Sequence, residues 1–373
     1  MDFNFTEEQQ QLADALRRYL DKNYGFEARQ AIVKTPEGVS AAHWTAFVEL
    51  GLTALLVPAE QGGFDGSPFD MLVVMQELGR TLVVEPYWAT AVGVEALKLA
   101  GADDGQSAQL LERVAAGEIK LAAAFHEPGA RYDLFALETV AKETGDGFAL
   151  TGSKSVVQHG AQADYWIVPA RLAGEVALFV VARDAKGVEV SDYRTIDGQR
   201  AATLKFDGAS ARRLGEAGAA TWEKIADYAT FLLCAEAVGA IDALNHATVE
   251  YTKTRQQFGV PIARFQALQH RMAEMLIHGE QARSLTYLAA ARYSSASPDE
   301  RRHAISAAKV RVGQAARYVG QQAVQLHGGM GVTNEVAAAH LFKRLAIIET
   351  TLGDVDHHLE RFASLPGFAQ AAA

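Results

Sequence analysis

The stretch QQAVQLHGGMGVTNE, residues 321 to 335, decides how the C-terminal half of the chain is organised. Apolar residues recur at helical spacing before and within it and predict one buried helix face. They are Val312, Ala316, Val319, Ala323 and Leu326. The pattern then meets glycines at positions 328, 329 and 331, which have no side chain to keep a ligand away from the backbone. We therefore expect a helix end that a bulky group approaches.

The composition is that of an ordinary globular protein, with 49% apolar residues and a mean hydropathy of −0.02. A length of 373 residues suggests two or three structural units. The formal charge of −10 and the lack of a basic cluster argue against a nucleic-acid partner. Cys234 is the single cysteine, so an internal disulfide is excluded. With an acidic N-terminus and no apolar run near about 18 residues, we expect a cytoplasmic protein without a membrane span.

Residues 3 to 118 carry helical patterns. Thr6 and Gln9 form a potential capping box, which predicts a first helix over about 7–24. A second apolar stripe ends at Gly51, and a third helix is predicted over 71–82.

Between about 120 and 215 the pattern changes to short runs rich in Val, Phe and Ile, separated by glycine-containing turns. Strands are predicted at 121–125, 148–151, 165–169, 177–182 and 202–206. Strands at this spacing indicate a small barrel or a sandwich.

After residue 221 the chain is again helical and rich in alanine. Helices are predicted over about 221–254, 264–293, 299–327 and 336–363. Four long helices with short connections indicate an antiparallel bundle. The order along the chain is therefore helical, then strand-rich, then helical.

Three motifs at consistent spacing carry a family resemblance: RQQFGVPI at 255–262, FQALQH at 265–270 and QLHGGMG at 325–331. With the α, β, α order they resemble the acyl-CoA dehydrogenase family of flavoproteins over nearly the whole chain. The motifs ARYDL (130–134), GSKSVVQHG (152–160) and FKRL followed by GDVDHH (342–358) resemble in particular the small-subunit type of pimeloyl-CoA dehydrogenase.

The resemblance implies an α+β multidomain fold. Its three parts are an N-terminal α-helical domain at 1–119, a middle β-barrel domain at 120–215 and a C-terminal four-helix bundle at 216–373.

The resemblance also implies where FAD binds. In that family FAD lies between the barrel and the bundle of one subunit, and the neighbouring subunit reaches its pyrophosphate and adenosine through an RxxFG and a QxxGG motif. Arg255 would then meet the pyrophosphate, as suits a permanently charged guanidinium. The other implied cofactor-binding residues are Gln257, Phe258, Phe265, Gln266, Gln325, Leu326, His327, Gly328 and Gly329. Taken singly, an arginine at a helix end is usually a solvated charge and a glycine pair a helix terminator.

The family's catalytic base is absent at both positions where it is found. Removal of the α-proton of an acyl-CoA needs a carboxylate facing the bond whose β-hydrogen leaves as hydride. Counting from the neighbouring motifs, these positions hold Leu352 and Ala229. Glu349, a weak candidate for a displaced base, is joined by Glu236 and Asp354. A shift of one residue on a helix, however, rotates a side chain by about 100°.

The strand-rich region also departs from the family pattern at the flavin. Tyr132 occupies the position of a flavin-contacting serine, Val156 that of a tryptophan packed near the isoalloxazine, and Gln158 that of a threonine near flavin N5. The residues that a subunit needs for its own flavin have changed, whereas those it lends to a neighbour remain.

A D-x-D-H-H cluster at 354–358 suggests a metal site, but we expect none. Adjacent histidines on a helix point about 100° apart and do not readily share one ion. A solvated or helix-capping role is the better prediction for the residues of this cluster, Asp354, Asp356, His357 and His358.

Three functional hypotheses follow. The first is an acyl-CoA dehydrogenase-type subunit without the usual glutamate, which completes the FAD site of a second subunit in a heterotetramer. The second is a self-sufficient homotetrameric dehydrogenase with a displaced base, and the third a structural subunit that has lost cofactor binding. The expected partners are an acyl-CoA, the second subunit and an electron-transfer flavoprotein. The acyl group is not specified, although the resemblance favours a dicarboxylic, steroid side-chain or other bulky acyl-CoA.

Overall fold

A computed structural model describes residues 5–101, 105–145, 147–295 and 297–364. The chain divides into two compact units. One, here called the helical unit, comprises Met1–Arg29, Pro68–Val83 and Thr230–Ala373. The other, the mixed unit, comprises Gln30–Ser67 and Val84–Ala229.

The first part of the chain is helical, as predicted. Its helices are α1 (Glu7–Asn23), α2 (Phe26–Lys34), α3 (Ala41–Glu49), α4 (Pro68–Arg80), α5 (Tyr87–Gly101) and α6 (Gly105–Ala115). The predicted capping box is confirmed, since the Thr6 hydroxyl accepts from Gln9 N at 3.2 Å and Gln9 Oε1 accepts from Thr6 N at 3.1 Å. The two reciprocal bonds satisfy donors that the start of a helix leaves unpaired.

The strand-rich region forms a closed barrel. Its strands are β1 (Leu121–Ala123), β2 (Val140–Thr144), β3 (Gly147–Gln158), β4 (Tyr165–Leu172), β5 (Glu175–Ala182), β6 (Val188–Arg194) and β7 (Arg200–Arg213). The ring runs β4-β2-β3-β7-β5 and closes where β5 pairs with β4 again, with β1 added to β4 and β6 to β7. All five predicted strands are confirmed, and of the two predicted architectures the barrel is the correct one. The sequence patterns missed β2 and β6, whose residues are mostly exposed and polar.

The last part of the chain is helical and contains one small hairpin. Its elements are α7 (Ala219–Thr254), β8 (Gln256–Gln257), β9 (Val260–Pro261), α8 (Gln266–Tyr293), α9 (Pro298–His327), α10 (Ala337–Thr350) and α11 (Val355–Ala363). The hairpin β8–β9 was not expected from the sequence.

The prediction of one continuous helix over 336–363 is wrong, because α10 and α11 are separated by a turn at 351–354. In this turn Leu352 and Gly353 have φ angles of +58° and +109°, which no helix contains. Asp354 then caps α11, its side chain accepting from His357 N at 2.9 Å. The predicted capping role of Asp354 is therefore confirmed.

Within the helical unit, α4 crosses α7 with their backbones in close contact. A side-chain carbon at Gly79 would collide with the Glu236 carbonyl, and one at Gly239 would collide with the Gln76 carbonyl. The two glycines occupy reciprocal positions, so that each helix needs its glycine where the other helix passes.

Candidate functional site

The RQQFG segment forms an exposed hairpin at the end of α7. Arg255 N still bonds to Tyr251 O at 2.8 Å, and Arg255 O accepts from Ile262 N at 2.9 Å, which brings the two arms together. Phe258 and Gly259 at the tip have φ angles of +54° and +78°, as in the type I′ turn that suits a two-residue hairpin loop. The Phe258 side chain is 91% exposed and meets Phe265 edge to face, with 6.0 Å between ring centroids.

The polar groups beside these rings have few internal partners. The Arg255 guanidinium is exposed and makes no hydrogen bond or ion pair with the described residues. Phe265, the residue before α8, makes no side-chain capping bond, so the first amides of α8 at Gln266 remain available. A free guanidinium and an uncapped helix N-terminus are both suited to an anion.

The QLHGG segment lies at the end of α9. Gln325 is exposed, whereas Leu326 and His327 are buried. Gly328, with φ +58°, and Gly329 would place a side-chain carbon with no atom within 4 Å, so the backbone here is open to approach from outside the chain. The sequence-based expectation of an accessible backbone is met at Gly328 and Gly329 but is wrong at Gly331, which is buried and where a side-chain carbon would collide with Val324 O. The Leu326 side chain is buried, so only its main chain could contact a ligand.

A stacked pair of rings joins the two segments. The His327 imidazole lies on the Tyr251 ring with centroids 4.4 Å apart and planes 23° from parallel. His327 Nδ1 lies 2.8 Å from Ala323 O and donates its proton there in the neutral ring. Burial lowers the pKa of His327 and favours that neutral form. The hairpin and the QLHGG segment, together called the motif surface below (255–266 and 325–329), therefore share one end of the helical unit.

The chemistry of the motif surface fits a diphosphate carried on an aromatic group. It offers a cation without an internal partner, free helix-terminal amides, open glycine backbone and exposed aromatic rings. FAD contains a diphosphate and an adenine, so these residues fit the part of FAD that the resemblance assigns to them.

Both expected base positions are apolar and buried. Leu352 is 6% exposed and lies in the left-handed turn after α10. Ala229 is fully buried, and its carbonyl accepts from Trp88 Nε1 at 3.1 Å.

The nearby carboxylates are all engaged. Glu236 holds Arg344 through two bonds of 2.6 and 2.7 Å, both side chains being buried. Glu349 Oε1 bonds to Arg317 Nη2 at 2.7 Å. Asp354 caps α11. Each of the three carboxylates therefore already has a partner within this chain.

The turn that carries Leu352 is fixed by buried polar groups that sequence reasoning missed. Lys309 Nζ donates to Glu349 O at 2.9 Å and to Gly353 O at 2.5 Å. Burial lowers the pKa of Lys309 to about 8. His358 Nε2 lies 3.0 Å from Leu352 O, and this contact also holds the turn in place. Lysine and histidine on an otherwise apolar helix face are the signal that could have identified them.

In the mixed unit, Val156 lies in a bulge of β3. The β3–β7 register shifts between Lys154 and Val157, and Ser155 N bonds instead to His126 O at 2.8 Å. Val156 has a φ of +50°, which is strained for a β-branched residue, and its side chain is 48% exposed. Tyr132 and Gln158 are half-buried. The bulge thus presents a valine where the resemblance implies a tryptophan.

Two further candidates from the sequence are the D-x-D-H-H cluster at 354–358 and the thiol of Cys234. Within the described ranges, no group of three His, Cys, Asp or Glu side chains could hold a metal ion. Cys234 is buried, and burial raises the pKa of its thiol to about 12, which suits a packing role. Of the residues that the structure describes, none belongs to a helix long and apolar enough to cross a membrane.

Comparison with known proteins assigns this arrangement to a family. Models of the acyl-CoA dehydrogenase N-terminal, middle and C-terminal domains match residues 6–118, 122–209 and 216–364. Acyl-CoA dehydrogenase IpdE2 of Mycobacterium tuberculosis is 30% identical over 345 residues, which cover 91% of each chain.

Solved structures give the same result. A variant of the Tcur3481-Tcur3483 steroid ACAD matches with a TM-score of 0.91 and 28% identity, over 98% of this chain and 99% of that one. The ChsE4-ChsE5 complex from Mycobacterium tuberculosis matches with a TM-score of 0.89 and 26% identity, over 98% of this chain and 100% of that one.

Proposed function

The chain belongs to the acyl-CoA dehydrogenase family of flavin oxidoreductases, and from this premise we propose that it is a subunit that completes the FAD site of a partner subunit. The partner carries the catalytic glutamate, and the two form a heterotetramer. The observation that carries the proposal is the contrast between an Arg255 guanidinium left without an internal partner and a Leu352 buried at the base position.

The proposed reaction is the α,β-dehydrogenation of an acyl-CoA. FAD, when bound, supplies the acceptor for the hydride that leaves the β-carbon. The residues of this chain would bind and orient it: Arg255 would pair with the diphosphate, and the amides at the start of α8 would donate to it. The backbone at Gly328 and Gly329 leaves room for its approach, and Phe258 and Phe265 would pack on the adenosine side. This chain moves no proton, because its own base positions are apolar.

The neighbouring structures support a heteromer. Two of the similar solved structures are of paired proteins, the steroid ACAD Tcur3481-Tcur3483 and the ChsE4-ChsE5 complex. By analogy we propose a bulky acyl-CoA as the substrate and an electron-transfer flavoprotein as the electron acceptor. We also propose three domains, at 1–119, 120–215 and 216–373. In the last of them α7 to α10 would form the four-helix bundle.

A self-sufficient homotetramer with Glu349 as the displaced base is the less favoured reading, because Glu349 is ion-paired with Arg317. A structural subunit without cofactor is also disfavoured, because the motif surface keeps strained and unpaired groups that the chain alone does not need.

Co-expression tests the proposal. The chain expressed alone should bind FAD poorly, and co-expression with a dehydrogenase subunit that carries the glutamate should give a yellow, active complex with one FAD per heterodimer. Stoichiometric flavin and acyl-CoA turnover in the purified single chain would overturn it. A colourless complex that assembles normally would instead favour the structural subunit.

A further inference from the structure

The hairpin of the motif surface depends on external anchors for its position. Its strands β8 and β9 have two residues each, and an isolated hairpin of this size is not stable in water. The Phe258 side chain at its tip packs on one ring, that of Phe265, and is otherwise exposed. The position of Arg255 is therefore set at the base of the hairpin.

The base of the hairpin is connected to Tyr251 through the backbone. Tyr251 O accepts from Arg255 N, and Arg255 O accepts from Ile262 N, at 2.8 and 2.9 Å. A displacement of Tyr251 would thus pass to both arms of the hairpin through two hydrogen bonds in series.

The QLHGG segment is connected to His327 through the chain itself. His327 is the last residue of α9, directly before Gly328, and is 4% exposed. Its Nδ1 contact with Ala323 O fixes the ring relative to the helix, and a side-chain carbon at Gly331 would lie only 3.1 Å from its Cβ. The His327 ring is therefore held in place on α9, directly before the backbone of Gly328 and Gly329.

We propose that the Tyr251–His327 ring stack positions the hairpin and the QLHGG segment relative to each other, so that both can contact the same diphosphate. The two rings are assigned here as positioning residues, which hold the two segments that would contact the ligand. This inference rests on the proposed function for the identity of the ligand, although the positioning itself is a property of this chain.

Hydrogen exchange on the whole chain without a partner tests the positioning. Tyr251→Leu removes the stack and should speed amide exchange in both 255–262 and 325–332 by about 3- to 10-fold, the range expected for loss of an aromatic pair. Tyr251→Phe keeps the ring and should restore slow exchange. Tyr318→Leu is the matched control, because Tyr318 of α9 stacks on His278 of α8 with ring centroids 4.2 Å apart, outside the motif surface. It should leave both segments unchanged.

FAD affinity of the assembled complex provides the second readout. Tyr251→Leu should raise the dissociation constant for FAD about 3- to 10-fold, whereas Tyr251→Phe and Tyr318→Leu should match the wild type. If Tyr251→Leu exchanges like the wild type in either segment, the stack has no positioning role and the inference fails. If the exchange results hold but Arg255→Ala leaves FAD affinity unchanged, the positioning stands and the proposed function is overturned.

Discussion

The turn after α10 and the hairpin after α7 share a left-handed backbone conformation but differ in the burial of the residue that adopts it. Leu352 in the turn and Phe258 in the hairpin both have left-handed φ angles, +58° and +54°, which cost a non-glycine residue about 1 kcal/mol or more. Leu352 is 6% exposed and Phe258 is 91% exposed. The Leu352 side chain is packed within the fold, whereas the Phe258 side chain contacts the Phe265 ring and is otherwise exposed. This difference in exposure indicates that the turn stabilises the fold, whereas the hairpin is suited to a contact outside the chain.

The clustering of strain supports this interpretation. Eight non-glycine residues of the described chain have positive φ angles. Five of them fall in segments that carry the family resemblance: Arg131, Val156, His159, Phe258 and Leu352. Strained backbone tends to persist where an active site needs it. At two of these positions, Val156 and Leu352, the side chain also differs from the one that the resemblance implies.

The largest expected effect is on the buried turn. Lys309→Met leaves the carbonyls of Glu349 and Gly353 without their donor, and each unsatisfied buried group costs about 1–3 kcal/mol. We expect a loss of about 2–4 kcal/mol in the free energy of unfolding, measured by urea denaturation. Lys343→Met is the control, since Lys343 bonds at the surface to Asn334 and should change stability by less than about 0.5 kcal/mol. Equal stability of both variants would show that the turn does not depend on Lys309.

The hairpin should respond in binding and not in stability. Arg255→Ala should weaken FAD retention in the assembled complex by about 1.5–3 kcal/mol, the value of a hydrogen bond to a charged group. Flavin released on dilution measures this change. Lys253→Ala removes a cation two residues away that pairs with Glu250 at 2.7 Å, and it should retain flavin normally. Equal retention by the two variants would contradict the contact that we assign to Arg255.

The turn should also be more sensitive to acid than the hairpin. Burial holds the pKa of His358 well below its usual value, so below about pH 6.5 the unfolded chain binds a proton that the folded chain does not. The contribution to stability is complete above that pH and falls as the pH is lowered, by up to about 1.4 kcal/mol per pH unit.

His358→Gln isolates this effect, because its amide can still donate to Leu352 O while it does not titrate. Urea denaturation between about pH 7 and pH 5 should show a shallower loss of stability than in the wild type. The exposed His270→Gln should keep the wild-type slope. A His358→Gln variant with an unchanged slope would place the acid sensitivity elsewhere.

A smaller effect of opposite sign is expected at the hairpin tip. Phe258→Asn replaces a strained residue by one that a type I′ turn accepts, and it should stabilise the isolated chain by about 0.5–1 kcal/mol. The same substitution should weaken FAD retention in the complex. A variant that loses stability, or that retains flavin fully, would contradict the view that the hairpin is strained for an external contact.

The smallest effect is expected at Glu349. Its partner Arg317 is 61% exposed in its side chain, and such a pair contributes about 0–1 kcal/mol. Glu349→Gln should therefore leave both stability and acyl-CoA turnover of the complex nearly unchanged. Loss of turnover with full flavin content would instead identify Glu349 as the displaced base.

The sequence predicted the elements that local patterns specify. The capping box at Thr6 and the strands with alternating or continuous apolar residues were confirmed because short-range chemistry determines them. The break between α10 and α11 was missed although Gly353 and Asp354 are local signals for a helix end and a helix start. The turn is also held by distant side chains, since Lys309 donates to Gly353 O and His358 contacts Leu352 O. Tertiary contacts override local propensity at such points.

The sequence likewise predicted some parts of the candidate site and missed others. Motif spacing identified the segments at 255–266 and 325–329, and the structure places them at one end of the helical unit. The pairing of Glu236 with Arg344 could not be inferred, because 108 residues separate them. The ring stack was missed for the same reason, since nothing near Tyr251 in sequence points to His327.

The reciprocal glycines of α4 and α7 bear on how such a subunit can evolve. A methyl group at Gly79 or Gly239 would collide with the backbone of the opposite helix. A substitution at either position would therefore require the two helices to move apart. The base positions are not restricted in this way, since leucine and alanine fill them within an intact core. After gene duplication, one copy could lose its glutamate without loss of its architecture, and selection on the pair could then act on the shared surface alone.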